Sequence, residues 1–246
     1  MNQDSLPTLQ QHYDQYTPSD FEVWKTLFSR QMTQLPNMAS QQYLECLNTV
    51  GFTADAIPNF DNVNRILGET TGWSLHVVPS IIPNHQFFPL LAQKKFPATT
   101  WLRPMESLDY LEEPDMFHDV FGHVPLLSHP TFCRFFDGFA QIGMRYLDRP
   151  ELLDVLGRMY WFTIEFGLIR EGGRQKIYGA GIMSSYGESQ FSLSDDPTHK
   201  PFDVAEILST DYDNSRIQDL YFVIESYEQL FESLGEIDAR MRELAS

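Results

Sequence analysis

Apolar residues recur at three- and four-residue intervals along most of the chain and alternate only in short runs. Phe21, Trp24, Leu27 and Phe28 follow Thr17-Pro18, an N-cap with proline at the first helical position, and Asp20 and Glu22 occupy the first turn. The same spacing predicts a helix from Ser40 through Tyr43, Leu44 and Leu47 to Gly51, and another over residues 61–72 with Val63, Ile66 and Leu67 inward. Residues 73–78 alternate, with Trp73, Leu75 and Val77 on one face, and predict a strand; residues 99–102 predict a second. Between them Pro79 and Pro83 bracket an apolar loop, and Asn84 caps a short helix carrying Phe87, Phe88, Leu90 and Leu91. Further helices are expected over residues 130–146, 151–170, 184–193, 201–208 and 227–244, with Gly172-Gly173 ending the second of these. Residues 176–178 and 220–224 read as strands. The pattern predicts a mainly α chain with a few short β-strands, folded as one domain over residues 16–246. Residues 1–15 are polar and aperiodic, and are expected to form a loose arm.

At 246 residues and 42% apolar content, the chain can bury a substantial core. Nineteen Phe, eleven Tyr and four Trp suit a core or pocket lined with rings. A formal net charge of −17 argues against nucleic acid or an anionic membrane as the main partner. Cys46 and Cys133 form no Cys-x-x-Cys pair, which excludes a cysteine-rich zinc site, and two free thiols are expected. The start of the chain lacks a basic and apolar leader, and the longest uncharged run, residues 70–93, is broken by prolines, Asn84 and two histidines. Cytoplasmic location without a membrane span is the expectation.

Candidate chemistry concentrates in residues 113–125, Glu-Pro-Asp-Met-Phe-His-Asp-Val-Phe-Gly-His-Val-Pro. His118 and His123 stand five residues apart, which on an α-helix places them roughly 140° apart, on different faces. If both bind one ion, the helix is expected to stop between them. Asp115 is a plausible N-cap, Gly122 can take the left-handed position past a helix end, and Pro125 forbids continuation. Six acids crowd residues 106–119; most read as a solvated loop, with Asp119, beside a histidine, the exception. Farther on, Glu165 is the only charge in the eleven residues from Met159 to Ile169. A helix apolar all round is buried, and a buried glutamate needs an arginine or a cation. Two histidines and one carboxylate form the donor set of the non-haem Fe(II) facial triad, and zinc accepts the same three. Capping or core histidines with no metal remain a third reading from the residues alone.

Three blocks, in order, resemble the aromatic amino acid hydroxylases: 113–125, Tyr160-Trp161-Phe162-Thr163-Ile164-Glu165-Phe166-Gly167-Leu168, and Tyr178-Gly179-Ala180-Gly181 followed by Ser184-Ser185 and Gly187-Glu188. The resemblance is strongest over residues 60–230. It implies a basket-like, mostly helical catalytic domain with Fe(II) held by His118, His123 and Glu165, a tetrahydropterin co-substrate, and O2. By motif position Arg103 would bind the amino acid carboxylate with help from Ser184, a role that suits a guanidinium fork. Trp161 and Pro114 would shape the ring pocket. Phe87 would stack on the pterin, Ile82 would lie along it, and Tyr160 would border iron and pterin. Asp119 stands where the animal enzymes carry glutamate, beside the pterin. Trp161 and Val223 match the members that hydroxylate L-phenylalanine to L-tyrosine; tyrosine or tryptophan hydroxylation, and zinc-dependent hydrolysis, are the alternatives. No assembly helix follows the catalytic region, so a monomer is expected.

Overall fold

A computed structural model describes residues 9–109, 113–214 and 216–246. Residues 1–8 of the expected arm and Glu112 of the acidic stretch lie outside them.

Local signals fix most of the helix starts. Thr17 and Asp20 bond reciprocally across the first turn of Pro18–Met32, and Ser40 caps Gln41–Val50 through the Tyr43 N–H. Asn59 caps Phe60–Thr70, His129 caps Pro130–Gly143, and Ser226 caps Tyr227–Ala245. The Phe-rich helix Pro130–Gly143 lies at the centre. It buries Phe132, Phe135, Phe136 and Phe139 between the C-terminal helix Tyr227–Ala245 and the short helix Asn84–Ala92.

Among the described residues, six short strands form two sheets. β1 (Ser74–Val77) pairs in parallel with β2 (Lys95–Ala98). β3 (Leu168–Glu171), β4 (Arg174–Ile177), β5 (Thr198–Pro201) and β6 (Leu220–Ile224) form a sheet in the order β4-β3-β6-β5. The mainly α class with a few short strands is therefore as expected, while several boundaries differ.

The second strand lies at residues 95–98 and not 99–102, because Thr99 turns to bond Asp119 through both its backbone N–H and its hydroxyl. The helix expected to reach residue 170 ends its α-helical part at Tyr160, and its apolar continuation becomes β3. Leu168 and Ile169 pair there with Val223 and Ile224. A short apolar run carries no period that separates buried helix from buried strand. Gly172 and Gly173 then form the β3–β4 hairpin turn, with φ of 56° and 78°. Two successive positive φ values are what a tight hairpin needs, and glycine adopts them without strain. Residues 201–203 precede the next helix, which spans Val204–Ser209 behind an Asp203 cap.

Residues 9–15 are docked, contrary to the loose arm expected. The Gln11 side chain donates to the Pro58 carbonyl and accepts from the Phe60 N–H, and the Tyr13 hydroxyl donates to the Ile57 carbonyl. Polar residues with no period can still be fastened by side-chain hydrogen bonds that leave no hydrophobic signature.

Candidate active site

The chain between the two histidines does not stop. Phe117–His123 is a π-helix, continued by a short α-helix Val124–Leu127. A π-helix closes its turn between residues i and i+5, so histidines five apart return to one face. Asp115 caps this helix as expected, accepting from the His118 N–H at 3.1 Å. Gly122 does not take a left-handed conformation. It is required for a different reason: a Cβ there would lie 2.8 Å from the Ala180 carbonyl oxygen. Glu165 comes from a second π-helical turn, Trp161–Glu165, closed by the Phe166 N–H on the Trp161 carbonyl.

The two π turns bring three donors together. His123 Nε2 lies 3.3 Å from His118 Nε2 and 3.1 Å from Glu165 Oε1, and His118 Nε2 lies 3.6 Å from Glu165 Oε2. Adjacent donors held at roughly 2.1 Å from one ion stand about 3 Å apart, so the set fits a single metal bound on one triangular face. The three donors line a cleft of about 750 Å³.

Electrostatics put two of the candidate ligands, His118 and Glu165, in their binding forms. Burial pushes the His118 imidazole down to about 4, against the opposing pull of Glu165, so it is neutral at pH 7. Burial works to raise Glu165, but His123 and His118, with hydrogen bonds from His123 and Tyr160, hold its carboxyl at about 2. A neutral imidazole and an ionised carboxylate are the forms that coordinate. Ser184 fixes the tautomer of His118. Its hydroxyl donates to the Ala180 carbonyl at 3.0 Å, so its oxygen accepts from His118 Nδ1–H at 2.9 Å. That leaves the Nε2 lone pair pointing at the metal position.

The eleven residues expected to hold metal, substrate or pterin line this one cleft: Ile82, Phe87, Arg103, Pro114, His118, Asp119, His123, Tyr160, Trp161, Glu165 and Ser184. Phe87 meets Tyr160 edge to face at 5.3 Å between ring centres. Arg103 grips Asp115 through Nε at 2.9 Å and Nη2 at 2.8 Å. Asp119 is buried, and its pKa is pushed up by that burial to about 7 although Thr99 donates two hydrogen bonds to it.

Two expectations change. Asp115, read within the solvated acidic loop, is fully buried, because Arg103 and the capped helix both need it. Val223 lies inside β6, paired with Leu168 and Pro201, and does not line the cleft.

Tyr212 and Gln218 line the cleft without a motif to announce them, and Glu188 stands in a quoted motif block that assigned it no role. Tyr212 stacks on Trp161 at 4.3 Å. Gln218 accepts from the Trp161 indole N–H at 3.0 Å, and Glu188 accepts from the Gln218 N–H and the Tyr221 hydroxyl. For Glu188, its place in the Gly187-Glu188 block was the available signal, and the structure shows it buried.

Comparison with known proteins agrees with this geometry. The family model described as biopterin-dependent aromatic amino acid hydroxylase matches residues 6–244. The phenylalanine-4-hydroxylase of Ralstonia nicotianae is 44% identical over 227 residues, covering 92% of this chain and 72% of that protein. That of Chromobacterium violaceum is 43% identical, covering 92% of this chain and 76% of that protein. The crystal structure of C. violaceum phenylalanine hydroxylase with bound Fe(III) superposes with a TM-score of 0.92 at 42% identity, covering 97% of this chain and 87% of that one. Its structure with iron(III) and 7,8-dihydrobiopterin gives 0.90 at 41%, over 96% and 86%. With the triad, the cleft and the sequence match in agreement, the chain belongs to the biopterin-dependent aromatic amino acid hydroxylases.

Proposed function

We propose that this chain is a tetrahydropterin-dependent, non-haem iron monooxygenase that hydroxylates L-phenylalanine at the para position to give L-tyrosine, with O2 as co-substrate. The observation that carries it is the His118–His123–Glu165 face at the base of a cleft that also holds Arg103 and Phe87. Relatives named phenylalanine-4-hydroxylase, and a neighbouring structure holding both iron and a pterin, support the same reading.

Fe(II) and the reduced pterin, when bound, supply the oxygen activation that no side chain can perform. The protein's part is positioning. His118, His123 and Glu165 would hold the iron on one face and leave the other toward the cleft. Arg103 has its Nε edge on Asp115, and that pairing orients the guanidinium for the substrate carboxylate. Trp161, braced by Tyr212 and Gln218, would form with Pro114 the wall against the substrate ring. Phe87 would stack on the pterin, with Ile82 alongside it and Tyr160 bordering both pterin and iron. Asp119 would face the pterin ring from beside the ligands. Against the zinc-hydrolase alternative stand the relatives named phenylalanine-4-hydroxylase and the neighbouring structure that holds iron and a pterin.

Among the described residues no helix is long and apolar enough to cross a membrane. A cytoplasmic monomer is the working proposal for location and assembly.

The test is anaerobic loading with Fe(II), then addition of a tetrahydropterin, O2 and each of phenylalanine, tyrosine and tryptophan. Tyrosine formed from phenylalanine at a rate well above hydroxylation of the other two is expected. Equal turnover of a hydrolysable substrate by the zinc-loaded protein, with no oxygen consumption, would overturn it.

A further inference from the structure

His118 and His123 point at one position only because the chain between them runs in the π register. We propose that the Tyr43 hydroxyl holds that register, which makes Tyr43 a positioning residue for the metal ligands.

In an α-helix the Phe121 carbonyl would accept from the N–H of residue 125. That residue is Pro125, which has no N–H and whose ring crowds the carbonyl four residues back. The displaced carbonyl is buried, and a buried acceptor without a partner is costly. Tyr43 supplies the partner from another helix: its hydroxyl donates to the Phe121 oxygen at 2.7 Å. The Tyr43 ring also packs edge-on against the Phe121 ring at 6.2 Å. Across the turn, Gly122 lies against the Ala180 carbonyl, where there is no room for a side chain. The widened turn is therefore gripped from two sides, by a hydrogen bond at residue 121 and by close packing at residue 122.

Tyr43 is itself held firmly. It is fully buried, its N–H is capped by the Ser40 hydroxyl at 3.2 Å, and that hydroxyl lies 3.0 Å from the Tyr227 hydroxyl. It does not line the cleft, so any effect on the ligands runs through the backbone between the two histidines.

The inference rests on the reading of His118, His123 and Glu165 as metal ligands, and the test separates the two. Metal-free full-length protein is titrated with Co(II), followed by its d–d absorption, and with Fe(II) against a competing chelator. Tyr43→Phe keeps the ring and removes only the hydroxyl. Its affinity for both ions is expected to fall about 10- to 100-fold, the range seen for groups that support metal ligands, with the helical circular dichroism unchanged. Pro125→Ala supplies a competing N–H for the same carbonyl and is expected to weaken binding in the same direction, so the idea stays testable if Tyr43→Phe does not fold. Asn59→Ala is the structural control; it removes the cap of Phe60–Thr70, lowers Tm and leaves metal affinity unchanged. His123→Ala is expected to abolish binding, and tight metal binding in that variant would overturn the ligand reading itself. If binding depends on His123 but is unaltered in Tyr43→Phe and Pro125→Ala, the role given to Tyr43 is overturned. A Tm loss in Tyr43→Phe with metal affinity intact overturns it as well.

Discussion

Arg103 and Asp115 meet through two parallel hydrogen bonds, with side chains 8% and 0% exposed, and the same carboxylate caps the His118 N–H. One buried ion pair thus joins the proposed carboxylate site to the first turn of the helix that carries His118. Removing one partner of such a pair typically costs about 3–5 kcal/mol, because the other charge stays buried and alone. Asp115→Asn is expected to lose stability on this scale in denaturant unfolding and to raise KM for phenylalanine. Arg103→Lys keeps the charge but loses the planar fork. It is expected to raise KM for phenylalanine about tenfold or more with KM for the pterin unchanged. A change confined to the pterin would remove Arg103 from its assigned role.

Ser184 is expected to act on the metal through His118. Without its oxygen the Nδ1 proton of His118 is no longer directed, and the ring is free to turn or to change tautomer. Ser184→Ala should weaken Fe(II) about 10-fold or more in a chelator competition. Unchanged affinity would leave Ser184 with only a substrate role.

Gly122→Ala tests the close approach to Ala180. The added Cβ would meet backbone oxygen at 2.8 Å and the Ala180 Cβ at 3.1 Å. Neither can rotate away, so the π turn and the Ala180–Met183 helix must separate. Overpacking of this kind costs about 1–3 kcal/mol. Thermal unfolding of the metal-free protein measures that cost, and a wild-type Tm would contradict it.

Much of this site was legible in the residues. A lone charge at Glu165 within an apolar run and two closely spaced histidines each announce themselves by composition. The geometry that unites the histidines was not. An α-helical wheel separates residues five apart, so a helix stop was inferred, with Gly122 as a left-handed terminus. The chain instead widens to the π register, which depends on the Tyr43–Phe121 bond and the Ala180 contact. Both are tertiary contacts with no local signature. The same limit explains β3: residues 166–169 are apolar whichever element they form, and pairing with Val223 and Ile224 decides it. Gly172-Gly173 was identified as a break, but whether it ended a helix or turned a hairpin depended on that pairing.

Glu188 gives a pH-dependent signature. Burial raises its pKa above the ordinary carboxylate value, against hydrogen bonds from the Gln218 N–H and the Tyr221 hydroxyl. The folded state therefore holds a proton that the unfolded chain has released, in the window between the ordinary carboxylate value and the raised one. The stability this group contributes is fully present below the unfolded value and is lost as pH rises through the folded one. Glu188→Gln keeps an acceptor oxygen and does not titrate. Denaturant unfolding from pH 4 to 7 is expected to show a smaller loss of stability with rising pH in the variant. Parallel curves would mean that Glu188 does not carry the effect.

Gln218 is expected to govern how well the ring wall is held. Its oxygen accepts from the Trp161 indole N–H, and its amide donates to the carbonyls of Asp213 and Arg216, so one side chain ties both to the Trp161 ring. Tyr212 stacks on Trp161 with the rings 13° apart. Gln218→Leu keeps the bulk but leaves the indole N–H and two carbonyls without their partner. Each such loss costs about 1–3 kcal/mol where water cannot replace it. The substrate ring would then meet a wall free to tilt, and small misplacements cost reactivity steeply. KM for phenylalanine is expected to rise several-fold and less of the oxidised pterin to be matched by tyrosine, with KM for the pterin unchanged. The effect should shrink in a Trp161→Phe background, where there is no indole N–H to hold, because residues sharing one hydrogen bond are not additive. Additive losses in the double variant would show that Gln218 supports the loop alone and does not position Trp161.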